Sequence, residues 1–150
     1  MMHLTVSLRR IAFFVTSSLL FFCNAESIAS EINWNKFFDS LAYVESNHNP
    51  NAKNKHSSAS GMYQLLKGFP VEVNRLAGTK YTSQDRFNPA KAREMILLYY
   101  KYTAPTKLGN DWNTDKHVHD LLMAFRFGWG DYRKKTDKPY KAKFMKRYIG

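Results

Sequence analysis

Two segments decide the fold of this chain: FFDSLAYVESNHNPNA, residues 37–52, and SASGMYQL, residues 58–65. At about 100° per residue, the first segment predicts an amphipathic helix whose inner face carries Trp34, Phe38, Leu41 and Glu45. The apolar stripe therefore ends in a carboxyl group that points toward the core. Partial burial raises the pKa of a carboxyl group, which suits Glu45 to be a general acid near neutral pH. A solvated glutamate at a helix end is the alternative that this residue alone leaves open.

The first helix must stop by Asn49-Pro50, because the residue before a proline avoids the helical conformation. A loop rich in Asn, Lys and Ser follows, over residues 47–60. Glu45 is therefore expected at the mouth of a loop, where a cleft can open.

The same two segments carry motifs at a defined spacing. They read Glu45-Ser46-x-x-Asn49-Pro50-x-Ala52 and Ser58-Ala59-x-Gly61-Met62-Tyr63-Gln64-Leu65. In order and spacing they resemble the first two motifs of the soluble lytic transglycosylase family. The resemblance is strongest over residues 37–66. It implies a lysozyme-like fold and allows a small β element near residues 47–60.

The resemblance also implies roles for individual side chains. Glu45 would be the catalytic acid and base, and Ser46 would belong to the substrate site beside it. Met62, Tyr63 and Gln64 would shape the sugar subsites, with Gln64 placed against the substrate and the acid. Tyr63 replaces the usual methionine, and its ring could stack on a sugar face. A plain buried turn is the alternative for these three residues.

A third motif resembles the family less closely. Ala124-Phe125-Arg126-Phe127-Gly128-Trp129-Gly130 keeps the alanine and both glycines of the family pattern. Phe125 stands in place of a tyrosine and Arg126 in place of an asparagine. We assign both positions to the substrate site, where the exchange removes two polar side chains and adds a cation.

The C-terminal part offers a hydrogen-bond partner for the acid. The family often has a tyrosine there whose hydroxyl reaches the catalytic glutamate, but the matching position in this chain is Phe144. Tyr140 and Tyr148 lie one helical turn before and after Phe144, on the same face. A half-buried carboxylate needs a partner, so we expect one of these tyrosines, and Tyr140 in preference, to reach Glu45.

The rest of the chain predicts an all-α domain. We expect helices over Ser30–Ser46, Pro70–Ala77, Asn88 to about Tyr102, Asn113 or Thr114 to Gly128, and from Pro139 onward. Ser30 is the expected N-cap of the first helix. Pro105 and Gly109 are expected to lie in a loop that follows the third helix.

Met1–Ala25 is predicted to be a signal peptide, which leaves residues 26–150 as one lytic transglycosylase-like domain. Two arginines precede the apolar run Ile11–Phe22, and small residues follow it at a plausible cleavage site. We therefore expect a periplasmic or exported protein. An uncleaved anchor and a lipoprotein attached through Cys23 are the alternatives. Cys23 is the one cysteine of the sequence, so the mature chain would contain no disulfide.

The mature domain is strongly basic. Removal of Met1–Ala25 takes away two arginines and no acid, so the formal net charge of +11 becomes +9. Such a charge suits an anionic polymer, and the basic residues concentrate between Arg126 and Arg147.

His117 and His119 are two residues apart on a helix and cannot share a metal ion, so we predict no metal and no cofactor.

The resemblance implies that the chain cleaves the glycan strands of peptidoglycan between N-acetylmuramic acid and N-acetylglucosamine and forms a 1,6-anhydro product. A hydrolytic lysozyme is one alternative, although it would need a second carboxylate. Asp39 lies about 120° around the helix from Glu45, so this carboxylate would have to come from Asp85, Asp111 or Asp131 in distant loops. A wall-binding accessory without activity is another. We expect a monomer that does not bind nucleic acid, and a secretion or conjugation machine is a compatible partner.

The basic C-terminal part gives a first prediction. The cluster from Arg133 to Arg147 should strengthen adsorption to anionic wall material. Salt shortens the screening length to about 8 Å at physiological strength, so binding to purified sacculi should weaken as salt is raised. Co-sedimentation over a salt series measures this, and binding that stays constant from low to high salt contradicts it.

Overall fold

Five α-helices form in residues 30–150, the part of the chain that this computed structural model describes. They are α1 (Trp34–Ser46), α2 (Phe69–Ala77), α3 (Pro89–Leu108), α4 (Val118–Phe127) and α5 (Lys138–Ile149), with short 3₁₀ helices at Ser83–Phe87 and Asp115–His117. The all-α prediction is confirmed. The predicted signal peptide, Met1–Ala25, lies outside the described residues. Over residues 30–150, no helix combines the length and apolar character that a membrane span requires.

The first helix lies in the core because its apolar residues cover more than one face. The buried residues of α1 are Phe37, Phe38, Ser40, Leu41 and Ala42. The ring of Phe37 packs 5.2 Å from the ring of Phe144 on α5 and 6.3 Å from that of Tyr100 on α3. The Tyr100 hydroxyl donates to the Leu121 carbonyl at 2.9 Å, which ties α3 to α4. α1 thus packs against α5 and α3, and α3 connects it to α4.

The start of α1 differs from the prediction. The helix begins at Trp34, and the side chain of Asn33, not Ser30, accepts from the backbone N–H of Lys36. Residues 30–32 are extended instead, because Ile32 donates its N–H to the Asn113 carbonyl at 3.1 Å. The Ser30 hydroxyl bonds the Asp115 carboxylate at 2.6 Å. The predicted end at Ser46 is correct, and Asn47 caps it in a left-handed conformation.

The third helix is longer than predicted. It was expected to end near Tyr102, yet it continues through Pro105 to Leu108. Proline removes one N–H from a helix, and this loss is offset here by packing. Ala104 is fully buried, and the indole N–H of Trp129 donates to the Thr103 hydroxyl at 2.8 Å. These contacts hold the last turn of α3 against the core.

The loop after α1 contains the β structure that the resemblance allowed, in a minimal form. Within the described residues it consists of isolated bridges, Lys53 with Ser60 and Ser60 with Leu65. The side chain of a buried arginine holds the loop through hydrogen bonds to two of its backbone carbonyls. Arg86 is 6% exposed and donates to the Ser58 carbonyl at 2.7 Å and to the Leu65 carbonyl at 2.8 Å.

Gly61 fills a position in this loop that has no room for a side chain. Its φ is +78°, and a Cβ there would stand 2.0 Å from the carbonyl oxygen of Arg86. Gly78 also has a positive φ, +67°, but a Cβ at that position would meet nothing within 4 Å. The two glycines therefore share a backbone requirement and differ in the space around them.

We expect Gly61→Ala to be much more destabilising than Gly78→Ala. Both changes carry the cost of a left-handed alanine, about 1–2 kcal/mol. Only Gly61→Ala also forces apart the loop and the backbone at Arg86, which should lower the melting temperature further or prevent folding. Thermal unfolding followed by circular dichroism measures both variants. Equal losses would show that the close approach to Arg86 is not needed.

Candidate active site

Glu45 lies in the last turn of α1, half-buried, and faces a cleft of about 400 Å³. The helix ends one residue later because Asn47 and His48 both adopt positive φ values, 53° and 63°. The chain turns away at this point and leaves the carboxyl group at the cleft wall. The residues that line the cleft are Val44, Glu45, Asn54, Ser57, Ala59, Gln64, Leu66, Phe125, Arg126 and Tyr140.

Tyr140 is the hydrogen-bond partner of this acid. Its hydroxyl donates to Oε1 of Glu45 at 2.5 Å, across 95 residues of sequence. Tyr148, the other candidate, lies further along α5 and donates to Asp115 at 2.5 Å. Burial first, and then the neighbouring Glu45, raise the pKa of Tyr140, so the proton stays on the phenol and the phenol is the donor. The structure thus supports the preference for Tyr140.

The pKa of Glu45 is raised above its ordinary value. Burial is the largest cause, because a low-dielectric surrounding penalises the charged form. The hydrogen bond from Tyr140 and the charge of Arg126 act in the opposite direction, and the charge of Asp137 adds to the rise. The net effect keeps a larger fraction of Glu45 protonated near neutral pH than an exposed glutamate would have.

Arg126 also lines the cleft, near the end of α4. Its guanidinium stands 5.0 Å from the centre of the Tyr140 ring and donates to Oδ2 of Asp137 at 3.3 Å. Asp137 is also the N-cap of α5, where its side chain accepts from the backbone N–H of Tyr140 at 3.1 Å. Arg126 therefore contacts Tyr140 directly, over its ring, and indirectly through Asp137, which accepts from the backbone N–H of Tyr140.

Gln64 lies in the cleft with Glu45 but does not bond it. Its side-chain N–H₂ donates to the Gly61 carbonyl at 3.0 Å, and its backbone has a positive φ of 50°. A non-glycine residue in this conformation is under strain, which often occurs at functional sites. The side-chain oxygen of Gln64 makes no hydrogen bond within residues 30–150.

Three of the residues predicted to touch substrate are elsewhere. Tyr63 is 5% exposed and packs 5.6 Å from the ring of Phe38, so it belongs to the core and cannot stack on a sugar. The Ser46 hydroxyl donates to the Met62 carbonyl at 2.7 Å, which ties the loop to α1. Met62 is partly buried against the core. Neither Ser46 nor Met62 lines the cleft.

A second and larger cavity, about 660 Å³, adjoins the cleft. Gln64, Leu66, Phe125 and Arg126 line both, so the two spaces form one groove. The far part of the groove is largely apolar, and its aromatic residues include Phe69 and Tyr99, whose rings are 5.3 Å apart.

Glu45 is the one carboxyl group among the described residues that line the cleft. Asp39 is turned away and bonds Arg147 at 2.5 Å and His48 at 3.0 Å. The other aspartates that could have supplied a second carboxylate are paired with lysines outside the cleft: Asp85 with Lys91, Asp111 with Lys116, and Asp131 with Lys135. Residues 30–150 also contain no group of three side chains that could hold a metal ion.

Sequence reasoning missed two residues that support this site. Asp137 could have been found, because an aspartate directly before Lys138-Pro139 is an N-cap signature. Arg86 carries no such signal, since nothing in its sequence neighbourhood distinguishes it from an exposed arginine. Its role depends on the bonds from its guanidinium to the carbonyls of Ser58 and Leu65, which are distant in sequence.

Comparison with known proteins gives one positive result. A family model described as Transglycosylase SLT domain matches residues 22–147, which is most of the chain. The match includes α1, the loop with Gln64, and α5 up to Arg147. Comparison with curated proteins and with solved structures gave no match. The chain therefore belongs to the transglycosylase SLT domain family.

Proposed function

We propose that this protein is an exported lytic transglycosylase that cleaves peptidoglycan glycan strands with Glu45 as its one acid and base. The observation that carries the proposal is the isolation of Glu45. It is a half-buried carboxyl group with a raised pKa, held by Tyr140, in a cleft whose described lining has no second carboxyl group. Export rests on Met1–Ala25 alone, as a prediction from sequence.

The reaction needs one carboxyl group because the attacking hydroxyl belongs to the substrate. Glu45 gives its proton to the glycosidic oxygen as the bond from that oxygen to the muramyl C1 breaks. The carboxylate then takes the proton from the muramyl 6-hydroxyl, whose oxygen forms a new bond to C1. No water is consumed, Glu45 ends protonated as it began, and the product is a 1,6-anhydromuramyl end.

Hydrolysis by a lysozyme requires a second carboxyl group at a defined distance from the acid. An inverting lysozyme needs a base about 6.5–9.5 Å from the acid, and a retaining one needs a nucleophile about 5–5.5 Å away. Asp137, which acts on the pKa of Glu45, is paired with Arg126 and caps α5, so it is not free for either role. This favours the transglycosylase over the lysozyme.

Glu45→Gln should lower the release of muropeptides from sacculi by at least about 10²-fold, the usual worth of acid–base catalysis. Glutamine keeps the size and can still accept from Tyr140, so the fold should persist. Glu94→Gln, at an exposed position of α3, is the control. Near-normal turnover by a folded Glu45→Gln protein would contradict the assignment.

The mass of the released muropeptides separates the remaining functions. Wild-type protein should release anhydro products, which lack the one water that a lysozyme adds to each cleaved end. A wall-binding accessory would bind sacculi and release nothing.

Tyr140→Phe should reduce activity by about tenfold, as expected for the loss of a hydrogen bond to a charged group worth ~1.5 kcal/mol. The hydroxyl lowers the pKa of Glu45, so its removal should raise that pKa. The limb of the kcat/KM profile at which activity falls with rising pH should therefore move to higher pH. Tyr148→Phe removes a hydroxyl from the same helix, away from the acid, and should leave this limb in place. Identical pH profiles for wild type and Tyr140→Phe would exclude the role given to Tyr140.

A further inference from the structure

We infer that Arg126 is a specificity-determining residue that binds a carboxylate of the substrate. The inference rests on the proposed function, since it concerns the groove next to Glu45. It starts from the position of Arg126, which lines both the cleft and the larger cavity and so stands where the two parts of the groove meet. The side chain remains 44% exposed.

Arg126 is the one basic side chain among the described residues that line either part of the groove. The acidic residues of the lining do not compete for it. Glu45 has a raised pKa, and the Glu72 carboxylate accepts from two guanidinium nitrogens of Arg75, Nε at 2.9 Å and Nη2 at 2.7 Å. A negatively charged group that enters the groove therefore has Arg126 as its cationic partner.

The Arg126 guanidinium has N–H groups that are not used within residues 30–150. A guanidinium carries five N–H groups, and Arg126 uses one of them within residues 30–150, in a single contact of 3.3 Å with Asp137. This distance is long for a charge-assisted N–H···O bond, which is usually about 2.7–2.9 Å. The face of the group is supported by the Tyr140 ring at 5.0 Å. Arg126 is thus held in orientation while its outer edge stays open.

The proposed substrate supplies the matching group. The ring whose C1 is attacked carries a lactyl ether, and the carboxyl group of that ether is free where the peptide has been removed. Where a peptide is attached, the lactyl carboxyl is an amide and the free carboxylates are those of the peptide. Both sources present the same chemistry to Arg126, a carboxylate that a planar guanidinium binds through two parallel hydrogen bonds.

The test compares glycan strands with free carboxylates and strands whose carboxyl groups have been converted to methylamides. Two pairs are used: peptide-free strands, which report on the lactyl carboxylate, and peptide-bearing strands, which report on the peptide. The measured quantity is the ratio of kcat/KM for the free form to that for the blocked form. Within one variant this ratio cancels any effect of the substitution on folding or on the pKa of Glu45.

The wild-type ratio should be about tenfold or more in one of the two pairs, and that pair identifies the source. Arg126→Gln should bring the ratio close to one. Arg126→Lys keeps the charge but not the fork and should give an intermediate ratio. The control is Arg93→Gln, because Arg93 also stands over an aromatic ring, that of Phe38 at 4.7 Å, but lies outside the groove and outside the basic C-terminal cluster. It should keep the wild-type ratio.

A binding measurement separates this inference from the proposed function. Calorimetric titration of Glu45→Gln protein with the same four glycans needs no turnover. If wild-type protein releases no product while binding still weakens on carboxyl blocking and on Arg126→Gln, the proposed function fails and the inference stands. Equal ratios in wild type and Arg126→Gln, in kinetics or in binding, overturn the inference.

Discussion

The packing of α5 against α1 is the contact on which the site depends. Phe37 and Phe144, both fully buried, fix the two helices at a ring distance of 5.2 Å. Tyr140 and Tyr148 stand one turn to either side of Phe144, so the same packing sets where their hydroxyls end. One reaches Glu45 and the other reaches Asp115. A core contact between two phenylalanines thus determines the position of a proton donor near the acid.

The effects that set the pKa of Glu45 act in opposite directions. Burial favours the neutral acid, whereas the hydrogen bond from Tyr140 and the charge of Arg126 favour the carboxylate. A group that must give a proton and then take one back needs both forms to be accessible, and strong dominance of either effect would block one half of such a cycle. Asp137 moderates the balance, because it partly neutralises Arg126 and fixes the start of α5.

Much of this arrangement could be predicted from the sequence, and the exceptions have physical reasons. Glu45 was singled out by the two motifs that resemble the family, and helical periodicity placed Tyr140 on the same face of its helix as Phe144. Tyr63 was wrongly assigned to the substrate site because it lies in a turn. In a turn the sequence spacing does not show which way a side chain points, and an aromatic ring beside a cleft can face the core as readily as a ligand. The end of α3 was missed because buried Ala104 offsets the effect of Pro105, and this packing involves residues distant in sequence. Arg86 was missed because the carbonyls that it binds, those of Ser58 and Leu65, are also distant in sequence.

The hydrogen bond between Tyr140 and Glu45 joins the first helix to the fifth, and this has a consequence for biosynthesis. The ribosome makes a chain from its N-terminus, so Glu45 and the whole cleft loop emerge long before Tyr140. Until α5 docks, Glu45 lacks its phenol donor and Phe37 lacks the ring of Phe144. The bond between the acid and its partner therefore cannot form before α5 has been made, and a chain cut short before α5 would carry Glu45 without its phenol donor.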